Sequence, residues 1–128
     1  RVLFRSTNLI INDISDFDVN LDLFMESNLY NNFFHKRIYV NFLGEIRRHE
    51  NDTINFGNIN NVSLNDTLKN EQFKEFWYIS KEKVEICCNC EYRYMCVDAR
   101  LPLYKNESNF WVLENDCKYS PSSAKWKQ

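Results

Sequence analysis

Cys87, Cys90 and Cys96 are spaced C-x2-C-x5-C, and Cys117 follows 21 residues after the third. A C-x2-C turn sets two sulfurs close together on one short loop. The third thiol can complete a face and the distant fourth can close the shell. Such a site obliges the loop and the tail to fold onto one another. Four thiolates suit both zinc and a [4Fe–4S] cluster, and on spacing alone the two stand level. A disulfide-bonded secreted domain is a third arrangement. It is opposed by the odd count of five cysteines, by their clustering and by the lack of a signal peptide. Cys88, directly beside Cys87, must point its side chain elsewhere and is expected to be a buried free thiol.

A chain of 128 residues is one domain or a piece of something larger, with enough apolar and aromatic side chains for a modest core. The formal net charge of −2 and the scattered Lys and Arg argue against nucleic acid as the main partner. No apolar run approaches the roughly 18 residues that span a bilayer, so no membrane association and a cytoplasmic location are expected. The four N-glycosylation sequons, at Asn51, Asn61, Asn65 and Asn106, arise readily in an Asn-rich chain and carry little weight. The sequence opens without Met, and Arg1 to Ser6 resembles a translated sequencing adaptor. Residues 1–18 are therefore read as the remnant of an upstream region, with 1–6 non-native, and residues 19–128 as the folded domain.

Along the chain, Val19, Leu21 and Leu23 alternate with Asn20 and Asp22, which predicts a half-buried strand. The clearest strand signal is Arg37 to Arg48, where Leu43-Gly44 supplies the turn of an antiparallel hairpin. Phe56-Gly57-Asn58-Ile59 reads as a short ordered crossing inside a turn-rich stretch. Ser63 is a good helix N-cap, with Asp66 favouring the positive end of the dipole. Phe73, Phe76 and Trp77 extend an apolar stripe read as core. Then come the cysteine loop, Leu101-Pro102-Leu103, a polar linker, and the tail around Cys117 and Trp126. The fold expected is a small α+β domain: a hairpin, short helices and a cysteine-rich metal-binding loop closed by the tail.

The order of the Gly44 hairpin, Phe56 to Ile59, Ser63-Leu64, Phe73 to Trp77 and then Cys87-x2-Cys90-x5-Cys96-Val97-Asp98 resembles the SPASM domain of radical SAM peptide-modifying enzymes. It is most similar to the peptide maturases of grasp-with-spasm systems, which act beside an ATP-grasp ligase on ribosomally made precursor peptides. The tail Cys117-Lys118-Tyr119-Ser120-Pro121, followed by Trp126, fits the same group, so the resemblance runs from about Val19 to Trp126. It implies that Cys87, Cys90, Cys96 and Cys117 ligate one auxiliary [4Fe–4S] cluster. Family members with two clusters draw the second ligand set from upstream cysteines, a G-x4-C turn and a cysteine just after the C-x5-C.

Here the G-x4-C position, counted from Gly44, holds His49, and Val97-Asp98-Ala99-Arg100 follows Cys96. One ligand set is whole and the other wholly missing, so a one-cluster domain is expected. His35 and His49 are read as surface or polar-core residues. Asp98 and Arg100 are read as an ordinary surface ion pair. The resemblance implies electron transfer or peptide positioning for the domain, with the precursor peptide, an ATP-grasp ligase and a radical SAM barrel of the same parent chain as partners. The catalytic C-x3-C-x2-C signature does not occur. S-adenosylmethionine is therefore expected only in a missing upstream core, no catalytic residue is assigned, and the chain alone is not expected to be active. The alternative is a structural zinc module, held by the same four cysteines and serving protein interaction.

Overall fold

The computed structural model describes residue 11, residues 13–17 and residues 19–127; the reading of residues 1–6 as non-native lies outside them. Helix α1 (Leu21–Leu29) starts where the Asn20 side chain accepts a hydrogen bond from the Leu23 amide at 3.1 Å. The strand expected from Val19, Leu21 and Leu23 is therefore a capped helix. Val19 and Leu21 are 89% and 72% exposed, whereas Leu23 and Ser27, four residues apart, share the buried face. Three alternating apolar residues make too short a run to outweigh an Asn cap.

After α1, Asn31 organises the entry to the core. Its backbone N–H donates to Trp77 at 2.9 Å, and its side-chain oxygen accepts from the Phe33 and Phe34 amides at 2.9 and 3.0 Å. Phe33 and Phe34 are thereby turned inward to join Leu23, Phe76, Ile79, Val84 and Val97 in the principal core.

Strands β1 (Tyr39–Val40) and β2 (Ile46–Arg47) pair antiparallel, Val40 opposite Ile46. The Asn41 side chain accepts from the Leu43 and Glu45 amides and Gly44 closes the turn at φ +82°. A Cβ there would lie 2.9 Å from Asn58 Oδ1, so the turn needs glycine. Ile46 is the inward residue of this hairpin and Phe42 faces solvent. The crossing at Phe56 to Ile59 caps it: Ile46 exchanges backbone bonds with Phe56 and Gly57, and Ile59 donates to Gly44.

Helix α2 (Leu64–Leu68) begins at Ser63, whose hydroxyl accepts from the Asp66 amide at 3.2 Å, as its sequence predicts. The aromatic stripe does enter the core. It does so in a turn and the 3-10 segment Glu75–Tyr78 rather than along a long helix.

The stretch read as a polar linker is a hairpin: β3 (Pro102–Lys105) pairs antiparallel with β4 (Trp111–Leu113). Asn106 bonds Phe110 through both backbone and side chain, and Asn109 takes φ 66°, a conformation Asn tolerates well. A last pair, β5 (Tyr119–Ser120) and β6 (Lys125–Trp126), folds the tail back. The observed architecture is thus α+β, with short antiparallel pairs around one aromatic core.

Arg48 and Asp52 clamp the far side of the first hairpin. Asp52 is buried and accepts from Arg48 Nε at 2.7 Å, Arg48 Nη2 at 2.9 Å and the amides of Arg48 and Ile54. Burial opposes its ionisation, but these donors outweigh it and hold the carboxyl down at about 2. An unfolded Asp titrates near 3.9. The stabilisation is therefore complete above about pH 4 and is lost as pH falls toward 2. Urea unfolding between pH 5 and pH 2.5 should show a steeper loss for the native chain than for Asp52→Asn. Equal slopes would contradict the clamp.

Candidate metal centre

The cysteine loop is aimed by one unusual turn. Glu85 donates its amide to Trp111 at 2.8 Å, anchoring the loop entrance to β4. Ile86 then takes φ 70° and ψ −51°, and the Cys87 amide donates back to Glu85 at 2.8 Å. This is a γ-turn of the rare positive-φ kind, strained for a β-branched residue. It reverses the chain so that Cys87 lies against the core while Cys87–Asn89 forms a 3-10 turn closed by Cys90 N–H to Cys87 at 3.0 Å.

The tail reaches the loop through aromatic contacts. Tyr92, two residues past Cys90, stacks on Phe17 at 4.5 Å between ring centres and meets Tyr119 edge-on at 5.1 Å. Trp126 packs on Tyr119 at 4.8 Å, and the Tyr119 hydroxyl donates to Glu91. Tyr119 is buried, and its neighbour but one is Cys117, so this cluster carries the fourth thiol to the loop.

All five cysteines are free thiols. Cys90 and Cys96 lie within electrostatic range of Cys87 and Cys117. Among the described residues no three His, Cys, Asp or Glu side chains are drawn together tightly enough to hold a single metal ion. Burial pushes the Cys96 thiol up to about 12 and raises Cys90 and Cys117 as well. Donors already point at the sulfurs. The Tyr119 amide lies 3.4 Å from Cys117 Sγ and Arg100 Nη2 3.7 Å from Cys87 Sγ, and the Tyr92 amide bonds Cys90. Asn32, bonded to buried Ser27, holds the Cys96 carbonyl at 2.8 Å. Cys88 is only half-buried, since its amide is bonded to Val84 and the turn leaves its side chain at the rim.

Asp98 and Arg100 are not the surface pair expected. Asp98 is 3% exposed and accepts from Arg100 Nη2 at 2.6 Å, Arg100 Nε at 2.7 Å and Lys81 Nζ at 3.0 Å. Lys81 was not legible as a site residue. Its partner lies 17 positions away, and its own surroundings, Lys81-Glu82-Lys83, read as a solvated turn.

His49 is half-buried, its Nε2 4.0 Å from Asp52, and burial lowers its pKa. It shares a cavity of about 290 Å³ with Ala99 and Arg100 and with Arg37, Arg48 and Glu114. His49 and the residues three and four places after Cys96, Ala99 and Arg100, thus line one cavity, which presents imidazole, methyl and guanidinium. His35 is far from that role: it stacks on Tyr30 at 3.8 Å and bonds Glu26 through Nδ1 at 2.9 Å.

The structure is thus a small α+β fold with a cysteine-rich loop seated on its core and the tail folded against that loop. A sequence model of SPASM, described as an iron–sulfur cluster-binding domain, matches residues 25–91. The chain belongs to this iron–sulfur cluster-binding family. The match includes Cys87 and Cys90 and stops short of Cys96 and Cys117. No curated protein and no solved structure is detectably similar to the chain. No helix among the described residues is long and apolar enough to cross a membrane.

The strain at Ile86 has a measurable consequence. Positive φ costs a β-branched residue about 1–3 kcal/mol, and glycine's entropy penalty is about 0.5–1 kcal/mol. The Ile86 side chain is 58% exposed, so its loss sacrifices little burial. Ile86→Gly should therefore raise the unfolding free energy by about 1 kcal/mol in urea titration. A loss of stability would contradict the strained turn.

Proposed function

We propose that Cys87, Cys90, Cys96 and Cys117 hold one [4Fe–4S] cluster, and that this domain is the auxiliary-cluster module of a radical SAM enzyme modifying a ribosomally synthesised peptide. The observation that carries the reading is a SPASM-family chain whose cysteines are all free thiols, with the tail that bears Cys117 packed through Tyr119 against Tyr92 of the cysteine loop. When bound, such a cluster supplies a one-electron redox centre.

The chain's own part is to hold and tune it. An all-thiol donor set fits an iron–sulfur cluster. The Tyr92 and Tyr119 amides and the Arg100 guanidinium are placed to donate to thiolate sulfur, the contacts that set ligand basicity. The raised thiol pKa values mean that loading releases protons, which makes cluster binding pH-dependent. The thiol-free positions at His49 and Ala99–Arg100 support one cluster per chain rather than two.

No C-x3-C-x2-C occurs in the sequence, so S-adenosylmethionine cleavage is proposed for a partner barrel of the parent enzyme. The precursor peptide and an ATP-grasp ligase are the further partners proposed. The cavity beside Arg100 mixes guanidinium, carboxylate and aromatic walls and offers a peptide side chain a seat one residue from a cluster thiol, which supports positioning alongside electron transfer.

Anaerobic reconstitution with iron and sulfide should give a brown protein absorbing near 400 nm. Cys90→Ala and Cys117→Ala should lose that absorbance and loosen the last third of the chain in hydrogen exchange, while Cys88→Ala keeps it. Full absorbance in Cys117→Ala would show the fourth ligand to be misassigned. A colourless protein carrying zinc on the same thiols would favour the structural zinc module instead.

A further inference from the structure

Lys81, Asp98 and Arg100 form a cluster of two cations and one anion against the cysteine loop, Lys81 and Asp98 buried and Arg100 largely so. Lys81 is 6% exposed, and its 3-10 turn (Lys81–Lys83) packs directly on the Cys87–Asn89 turn. Arg100 is tied on all sides: Nε and Nη2 on Asp98, Nη1 on the Asn115 carbonyl at 3.0 Å, and Nη2 again toward Cys87 Sγ at 3.7 Å. One carboxylate cannot neutralise two cations, and an uncompensated buried charge costs several kcal/mol. Lys81 stands on the turn packed against Cys87–Asn89, and Arg100 Nη2 reaches Cys87 Sγ, so the excess positive charge faces the cysteine loop.

We infer that Lys81 and Arg100, locked in place by Asp98, are the built-in counter-charge of the cluster held by Cys87, Cys90, Cys96 and Cys117, and that they raise its reduction potential. The inference rests on the iron–sulfur reading above and deepens it. A four-thiolate cluster is anionic and gains one further negative charge when an external reductant delivers an electron. Two fixed cations within a low-dielectric shell stabilise the reduced form more than the oxidised one. Lys81 and Arg100 are thus positioning and tuning residues, acting through the surroundings of the ligand sulfurs. Their presence favours a centre that accepts an electron over one that serves only as a brace.

The test is a potentiometric titration of the reconstituted full chain, reduced by dithionite with mediators and followed by absorbance and electron paramagnetic resonance. Lys81→Met and Arg100→Gln should each lower the reduced-to-oxidised ratio at a fixed potential by about tenfold, equivalent to about 59 mV for one electron. Lys81→Arg should keep the native value. Arg100→Gln keeps the test decisive if Lys81→Met does not fold, because the Arg100 side chain reaches the rim. Native potentials in the loaded Lys81→Met and Arg100→Gln proteins, even with lowered melting temperatures, would overturn the inference and leave a purely structural triad. Failure of the unsubstituted chain to take up any cluster would instead overturn the reading on which it rests.

Discussion

The carboxylate of Asp98 joins three parts of the chain that nothing local would bring together. It sits two residues past Cys96, binds Lys81 from the turn preceding the cysteine loop, and fixes Arg100, which in turn holds the Asn115 carbonyl just before Cys117. Removing it would leave Lys81 a buried, unpaired cation. Burial opposes its charge, and the two cations more than restore it, so its pKa stays depressed. The turn before the cysteine loop, the segment after Cys96 and the tail are thereby held in one arrangement.

A second layer works from outside. The aromatic cluster of Phe17, Tyr92, Tyr119 and Trp126 fastens the tail over the loop, while Asn32 steadies the Cys96 carbonyl from beneath. These contacts are apolar or neutral and insensitive to metal. They fasten the segment that bears Cys117 to the loop that bears Cys90 without help from a metal ligand.

Features written in short sequence windows were legible. Ser63 announced its cap, Leu43-Gly44 its turn, and Phe73 to Trp77 its place in the core, because each depends on neighbours within a few residues. Family kinship was legible from the cysteine spacing with the Gly44 and Phe56 to Ile59 landmarks. Features set by distant partners were not. Val19 to Leu23 looked extended until the Asn20 cap and the Leu23–Ser27 face showed a helix. The β3–β4 hairpin hid behind polar turn residues whose ordering comes from Asn106 bonding Phe110. The Lys81–Asp98 contact spans 17 residues, and the Ile86 γ-turn runs against the propensity of its own side chain, so neither left a local signal.

Iron and acid-labile sulfide, quantified against protein in the reconstituted full chain, decide whether Cys87, Cys90, Cys96 and Cys117 serve a single cluster. The single-cluster reading predicts about four irons and four sulfides per chain. About eight irons would restore a second cluster at the His49 cavity, and one zinc without sulfide would replace the iron–sulfur centre altogether; either result would contradict it.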